Sequence, residues 1–270
     1  MYLVAGVPLT GHMHYEDRFY FADDQGYAYD GAYNICGETC LFEGGFFTRS
    51  TTADVRAAGR SGTNVDFILY GDGLFKFMGT GENYPLSRVW NSPWYSYRNY
   101  VRRLYVDSGI TNLDRWFAYS SRNLTEVTFA EGSRITRIDQ NAFARCSSLR
   151  TLRLPETVTY IGYDAFTDCT SLRELYLPDG VNAIMPNAFT RDTALVLSVG
   201  YGSYAKDWAA SRGIAYTERE PAVVASGVCG ENLTWSLTGD GVLTLEGTGP
   251  MATYYGEANI PWHANRALIT

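Results

Sequence analysis

A repeat of about 23 residues between residues 101 and 195 is the feature that most constrains how this chain can fold. Its clearest copy occupies residues 149–171 and reads L-x-x-L-x-L, V-x-x-I, A-F and C. These letters stand for Leu149, Leu152, Leu154, Val158, Ile161, Ala165, Phe166 and Cys169. We name the copies coil 1 (101–123), coil 2 (124–148), coil 3 (149–171) and coil 4 (172–194). A single coil cannot bury its own apolar side chains, so stacked copies predict a solenoid.

Each part of the repeat has a structural interpretation. L-x-x-L-x-L alternates between inward and outward positions, as in a strand with one buried face. V-x-x-I supplies a second buried edge, and A-F fills the coil interior. Coil 1 is less regular, and its Trp116-Phe117 takes the place of A-F. We therefore expect Phe143, Phe166 and Phe189 to form one buried column.

The connections between coils carry a family resemblance. They read Asn141-Ala-Phe-Ala-Arg-Cys-Ser-Ser-Leu149 and Asp164-Ala-Phe-Thr-Asp-Cys-Thr-Ser-Leu172, which resembles the BspA-type leucine-rich repeats of bacterial surface proteins. The repeat and the resemblance together predict a leucine-rich-repeat solenoid of about four coils of ~23 residues. With the flanking β-hairpin modules inferred from the second repeat below, the predicted fold class is mainly β. Residues 202–216 look like the short helix and strand that close such arrays, with Ser203 as N-cap and Gly213 as C-cap. The solenoid with its cap therefore spans 101–216.

A second repeat relates residues 63–102 to residues 231–270 at an offset of 168. The shared motifs are Gly71-Asp72-Gly73 with Gly239-Asp240-Gly241, Gly79-Thr80-Gly81 with Gly247-Thr248-Gly249, and Asn91-x-Pro93-Trp94 with Asn259-x-Pro261-Trp262. Asp-Gly between alternating apolar runs predicts a hairpin. We expect one β-hairpin module at 56–100, a linker at 217–227 and a second, truncated module at 228–270. The chain stops where another array would begin, so we expect it to be part of a longer protein.

The first 55 residues contain aromatic runs between Gly and Asp turns, which predicts a chain of hairpins. This segment resembles choline-binding-type cell-wall repeats, which implies contact with the cell wall. The Gly-Trp of that family is Gly11-His12 and Gly31-Ala32 here. Because the aromatic cage needs those tryptophans, we favour a structural remnant or spacer over choline binding.

Cysteine and histidine offer few candidates for chemistry. Cys146 and Cys169 occupy equivalent places in adjacent coils, either as a metal or redox pair or, in the interpretation we favour, as buried free thiols. Cys36 and Cys40 could form a disulfide across a tight hairpin, and Cys229 is interpreted as a turn residue. His12 and His14, beside Glu16 and Asp17, are expected to be polar hairpin residues rather than metal ligands.

Charge and motifs exclude several functions. The chain carries 22 basic and 29 acidic residues, and its only lysines are Lys76 and Lys206, so nucleic acid is a poor partner. No apolar run reaches the roughly 18 residues that a membrane span requires. The glycine motifs lack a following helix and a phosphate-binding lysine, and residues 15–262 contain no histidine. We expect no enzyme activity and no cofactor.

The outward positions of the L-x-x-L-x-L strands remain as a candidate ligand site. We call them the ribbon surface, which consists of Arg103, Tyr105, Glu126, Thr128, Thr151, Arg153, Glu174 and Tyr176. Tyr and Arg are enriched at the energetic centres of interfaces. Strands stacked at about 4.8 Å would place Tyr105 and Tyr176 roughly 14 Å apart. The alternative is an ordinary solvated strand face.

Two hypotheses of function follow. The first is a non-enzymatic cell-surface protein that binds protein or glycan ligands on host or neighbouring cells. The resemblance implies export and attachment to the cell envelope or wall. The second is a structural spacer or display stalk of a larger secreted protein, which could itself be an enzyme.

Overall fold

The computed structural model describes residues 27–62, 64–83 and 92–270, residues 21, 22 and 25, and the backbone of short strands within residues 3–20. The chain divides into two compact units. The N-terminal unit contains Met1–Val199 and Ser203–Thr217, and the C-terminal unit contains Gly200–Gly202 and Glu218–Thr270. None of the described helices is both long enough and apolar enough to cross a membrane.

The N-terminal unit begins with the predicted chain of hairpins. Its strands are β1 (Leu3–Val4), β2 (Val7–Pro8), β3 (Gly11–Tyr15), β4 (Arg18–Ala22), β5 (Gly31–Ile35), β6 (Glu38–Glu43) and β7 (Phe46–Ser50). β1 pairs with β2, β3 with β4, and β5–β6–β7 form a three-stranded antiparallel sheet. The ring of Phe21 packs on Phe67 at 5.8 Å, beside Gly59. The segments predicted as separate domains (1–55, 56–100 and 101–216) therefore share one core rather than folding apart.

The first module has three strands rather than two. It consists of β8 (Val55–Gly62), β9 (Asn64–Tyr70) and β10 (Leu74–Thr80), followed by a 3₁₀ helix at Tyr95–Tyr100. Phe67, Phe77 and Trp94 form its aromatic core, and the Trp94 indole N–H donates to the Phe117 carbonyl at 2.7 Å. β10 then pairs in parallel with the first strand of the solenoid. The module thus supplies the strand on which the array begins.

The solenoid is confirmed, with one more strand row than the four predicted coils supply. The outward-facing strands are β11 (Arg103–Val106), β13 (Glu126–Phe129), β15 (Thr151–Arg153), β17 (Glu174–Tyr176) and β19 (Val196–Gly200). The V-x-x-I segments form β12 (Asn112–Leu113), β14 (Arg137–Ile138), β16 (Tyr160–Ile161) and β18 (Ala183–Ile184), which pair in one parallel sheet. β19 adds the extra row, so the architecture is a mainly β solenoid of about five turns.

The predicted phenylalanine column lies inside this solenoid. Phe143 and Phe166 stack with ring centroids 5.4 Å apart, and Phe166 and Phe189 with centroids 5.6 Å apart. The Trp208 ring closes the column edge-on at 5.7 Å from Phe189. The cap is also confirmed: α1 (Tyr204–Arg212) has Ser203 as its N-cap and a left-handed Gly213 at its end, and β20 (Ala215–Arg219) follows.

The expected alignment of coil 1 with the other coils is wrong by one residue. The Ala118 N–H donates to the Ala142 carbonyl, just as the Phe143 N–H donates to the Ala165 carbonyl. Ala118 therefore takes the place of the column phenylalanine. Phe117 turns instead toward Phe77, at 4.4 Å, where it joins the module core.

The C-terminal unit repeats the first module, strand by strand. It contains β21 (Val223–Gly230), β22 (Leu233–Thr238), β23 (Leu243–Gly247) and 3₁₀ helices at Glu257–Asn259 and His263–Leu268. β21 and β8 have bulges at equivalent positions, and β21 begins within the segment predicted as a linker. That prediction is corrected: residues 223–227 form the first part of β21, and Gly227 leaves room for the Trp235 ring that lies against it. Only residues 220–222 lie between β20 and β21.

Candidate binding surface

The ribbon surface projects from the solenoid as predicted. Six of its side chains are exposed, and Tyr105 and Tyr176 are half-buried, while the alternating residues such as Leu104, Leu152 and Leu175 are buried. Strand register places Tyr105 beside Thr128 and Arg153 beside Tyr176. Inward leucines thus fix the outward direction of the candidate side chains.

Arg153 and Tyr176 form a three-residue cluster with Glu156. The Arg153 guanidinium lies 3.5 Å from the centroid of the Tyr176 ring and donates to Glu156 Oε1 at 2.6 Å. The Tyr176 hydroxyl donates to the same oxygen at 2.9 Å. Glu156 therefore orients both predicted anchor residues. Glu156 is not among the candidate residues of the sequence analysis, although its spacing of three residues from Arg153 is a signal that could have identified it.

The ribbon surface is divided in the middle. β13 pairs with β11 and β15 pairs with β17, but β13 and β15 belong to different sheets. We call the space between them the ribbon gap. The expected distance of roughly 14 Å between Tyr105 and Tyr176 assumed an unbroken ladder, so that expectation is corrected. The eight candidate residues form two groups of four, one on each side of the gap.

Coil 2 contains the physical cause of this gap. Five residues separate Phe129 from Ile135, whereas three separate Leu154 from Val158 in coil 3. Phe129 is also bulkier than Val106, Leu154 and Leu177, which take its place in the other coils. A longer loop and a larger inward side chain hold the β13 end of coil 2 away from coil 3. Val127 and Phe129 are half-buried as a result, while Leu152 and Leu154 are buried.

On the opposite side of the coils, a salt-bridge row links successive turns. Asp168 pairs with Arg145 at 3.7 Å and with Arg191 at 3.3 Å. All three residues have left-handed backbone conformations, with φ values of 62°, 63° and 69° respectively. This row explains the charged residues at these turn positions, and it links the coils rather than forming a separate site.

The cysteines are free thiols in the described part of the chain. Cys146 and Cys169 are buried free thiols, which is the interpretation that the sequence analysis favours. Burial raises the pKa of the Cys146 thiol to about 12. The two thiols donate to the carbonyls of Ala118 and Phe143, respectively. Cys36 lies in the turn and Cys40 opposite Tyr33, so the two do not face each other across the hairpin. The interpretation of Cys229 as a turn residue is wrong. Cys229 lies in β21 and packs with Trp235, because the bulged strand turns its side chain inward.

Asp192 continues the cysteine column in coil 4. Both of its carboxylate oxygens are buried, and neither meets hydrogen-bond geometry with any residue that the structure describes. Burial raises the pKa of Asp192 to about 7, because its effect outweighs the backbone of Cys169, which lowers this pKa, and Asp168 adds a smaller increase. No group of three potential metal ligands occurs among the residues that the structure describes. The side chains of His12 and His14 lie outside the described residues, and so do Glu16 and Asp17. The interpretation of the two histidines as polar hairpin residues therefore stays a prediction.

The comparisons with known proteins agree with the repeat architecture. Residues 94–196 match the family model described as the BspA type leucine rich repeat region, in six copies. This match does not include residues 1–55, so their resemblance to cell-wall repeats stays a prediction. A search of curated proteins found no match.

Solved structures of leucine-rich-repeat proteins are similar to part of the chain. A protein from Eubacterium ventriosum is 23% identical over 53% of this chain and 44% of its own, with a TM-score of 0.43. A protein of T. pallidum is 19% identical over 51% of this chain and 68% of its own length, with a TM-score of 0.39. The pneumococcal vaccine antigen PcpA is 16% identical over 54% of this chain and 51% of its own length, with a TM-score of 0.34. The chain thus spans less than half of the first of these proteins.

Proposed function

We propose that this chain is the non-enzymatic binding part of a bacterial surface protein, and that its ribbon surface attaches to a protein or glycan on a host or neighbouring cell. The repeats that match the BspA-type family model support a surface location. We propose that the protein is exported and held at the cell envelope.

The observation that carries the proposal is the Arg153–Tyr176–Glu156 cluster. Tyr176 is held between the Arg153 guanidinium and the Glu156 carboxylate, so both anchor side chains are already ordered before a ligand arrives. Ordered aromatic and guanidinium groups lose less conformational entropy on binding. A flat ring beside a charged group suits either a peptide or a sugar ring.

The test uses the full chain to capture partners from envelope and host-cell extracts, followed by affinity measurement with the purified partner. The triple variant Tyr105→Ala/Arg153→Ala/Tyr176→Ala should weaken binding by about thirty-fold, since central anchors of these types contribute about 2 kcal/mol. The variant also removes the exposed Arg153–Glu156 ion pair, worth about 1 kcal/mol or less, so its melting temperature must stay well above the assay temperature for the comparison to hold.

The matched control is the pair Arg122→Ala/Tyr163→Ala. Both side chains are exposed, and neither forms a hydrogen bond or ion pair with the described residues. Arg145, Asp168 and Arg191 are unsuitable controls, because their removal would break the salt-bridge row. If the control pair abolishes binding and the ribbon variant does not, the binding proposal fails. If no partner is captured, the spacer hypothesis gains support.

A further inference from the structure

The first and second modules differ in what lies beside their last strand. β10 pairs with β9 on one side and with β11 of coil 1 on the other. β23 is the equivalent strand at an offset of 168 residues, and among the described strands it pairs with β22 alone. Because the two modules repeat each other strand by strand, the first module shows which partner fits on this edge.

The backbone approaches both edges in the same way. In the first module, the Arg102 N–H donates to the Gly73 carbonyl at 2.9 Å, and the chain continues into β11. In the second module, the Thr270 N–H donates to the Gly241 carbonyl at 3.1 Å. A strand that continues in this direction would run parallel to β23.

Backbone groups of β23 are directed to its open edge. The Val242 carbonyl accepts a hydrogen bond from the Thr238 N–H at 3.0 Å, so the backbone groups of Val242 face β22. Successive residues of a strand alternate in this respect, and the backbone groups of Leu243 and Leu245 therefore face the open edge. In the first module, the carbonyl equivalent to that of Leu245 belongs to Phe77 and accepts a hydrogen bond from coil 1 at 3.0 Å.

The apolar face beside this edge is covered in the first module and exposed in the second. Phe77 is fully buried, and the Phe117 ring of coil 1 lies 4.4 Å from its ring. Trp94 is buried as well, and its indole N–H donates to the Phe117 carbonyl. In the second module, the equivalent residues are Leu245, which is 43% exposed, and Trp262, which is half-buried. An apolar face beside an open strand edge favours a partner that brings both a strand and an apolar side chain.

We propose that the open edge of β23 and the apolar face beside it form a docking surface for a leucine-rich-repeat coil of the coil 1 type, joined to the module through Thr270. The coil adds its first strand in parallel to β23, and one of its aromatic rings covers Leu245 as Phe117 covers Phe77. The second module then has the role for a further array that the first module has for the present one. This inference goes beyond the proposed function and does not depend on the ribbon surface.

The test extends the full chain after Thr270 with residues 103–217 of its own sequence, which places a copy of the solenoid after the second module as it stands after the first. Amide hydrogen exchange is compared between the chain and its extended form. The amides of Leu243 and Leu245 should exchange at least tenfold more slowly in the extended form, whereas the amide of Thr244, which faces β22, should change less. Unchanged exchange at both leucines, also where the extension stays unfolded, overturns the proposal.

Two controls separate docking in register from a general effect of the extension. An extension that begins at Leu104 instead of Arg103 shifts the added strand by one residue and turns its inward side chains outward, so it should protect neither amide. In the full extension, Leu245→Asp should abolish at least tenfold protection at Leu243, whereas Val242→Asp should not, because Val242 is exposed on the opposite face of the strand. Equal protection by the shifted extension overturns the proposal.

The unextended chain tests for a different occupant of the same face. Its Leu243 and Leu245 amides should exchange at rates that do not depend on protein concentration. If their exchange slows with concentration while sedimentation velocity shows a dimer, a second copy of the chain covers the face and the proposal is wrong. The ribbon surface takes no part in these measurements, so failure here leaves the proposed function unaffected.

Discussion

The Phe166→Ala substitution tests the coil interior most directly. Phe166 is fully buried and is the central ring of the column, stacked on Phe143 with an interplanar angle of 4° and on Phe189 with an angle of 16°. Removing a buried phenylalanine costs about 3–5 kcal/mol. Each ring pair adds about 0.5–1.5 kcal/mol. Because two pairs are lost together, we expect a loss in the upper half of that range, about 4–5 kcal/mol.

The measurement is equilibrium unfolding in urea, followed by far-ultraviolet circular dichroism. The midpoint should shift while the m-value is unchanged, since the same surface is exposed on unfolding. Phe143→Ala is the matched control: Phe143 is fully buried and contacts one ring among the described residues, that of Phe166, so its loss should cost about 1 kcal/mol less. A loss below about 1 kcal/mol for Phe166→Ala would refute the coil register.

Two further predictions concern Asp192 and the second module. Burial raises the pKa of Asp192 from 3.8 to about 7, so the folded chain retains a proton that the unfolded chain releases. The free energy of unfolding should therefore fall as the pH rises from about 4 to about 7. The Asp192→Asn variant should lack this part of the fall, which melting temperatures measured across that pH range would show. A variant with the same pH profile as the natural chain would contradict the assignment. β10 pairs with strands on both sides, whereas within the described part of the chain β23 pairs with β22 alone, so amides of β23 should exchange faster than those of β10. Equal protection would show that the second module is stabilised in another way.

The repeat made the interior of the solenoid predictable, because each buried position recurs in several coils. The column of Phe143, Phe166 and Phe189 and the cap at Ser203 follow from local pattern alone. The register of coil 1 did not follow, because Phe117 and Ala118 are both compatible with a buried turn. Only the module core, where Phe117 meets Phe77, decides between them.

The strands β8 and β21 escaped prediction for a different reason. The start of β21 was assigned to the linker 217–227, and β8 was not recognised as a third strand of the module predicted at 56–100. The need for small side chains in both strands arises from rings that come from other strands. Phe21 lies against Gly59, and Trp235 lies against Gly227. The ribbon surface was predictable as an outward face from strand alternation. The ribbon gap was not, since it results from two additional residues and one larger side chain in coil 2.

The break between β13 and β15 also has a consequence for cooperativity. The stability of a repeat array is approximately the sum of the stabilities of its repeats and of the interfaces between neighbours. Coils 2 and 3 keep the β14–β16 pairing but lose the pairing of their outer strands, so their interface contributes less than the others. We expect the array to behave as two cooperative blocks, one built on the first module and one closed by α1. Under tension along the solenoid, the two blocks should separate at this boundary before either block unfolds.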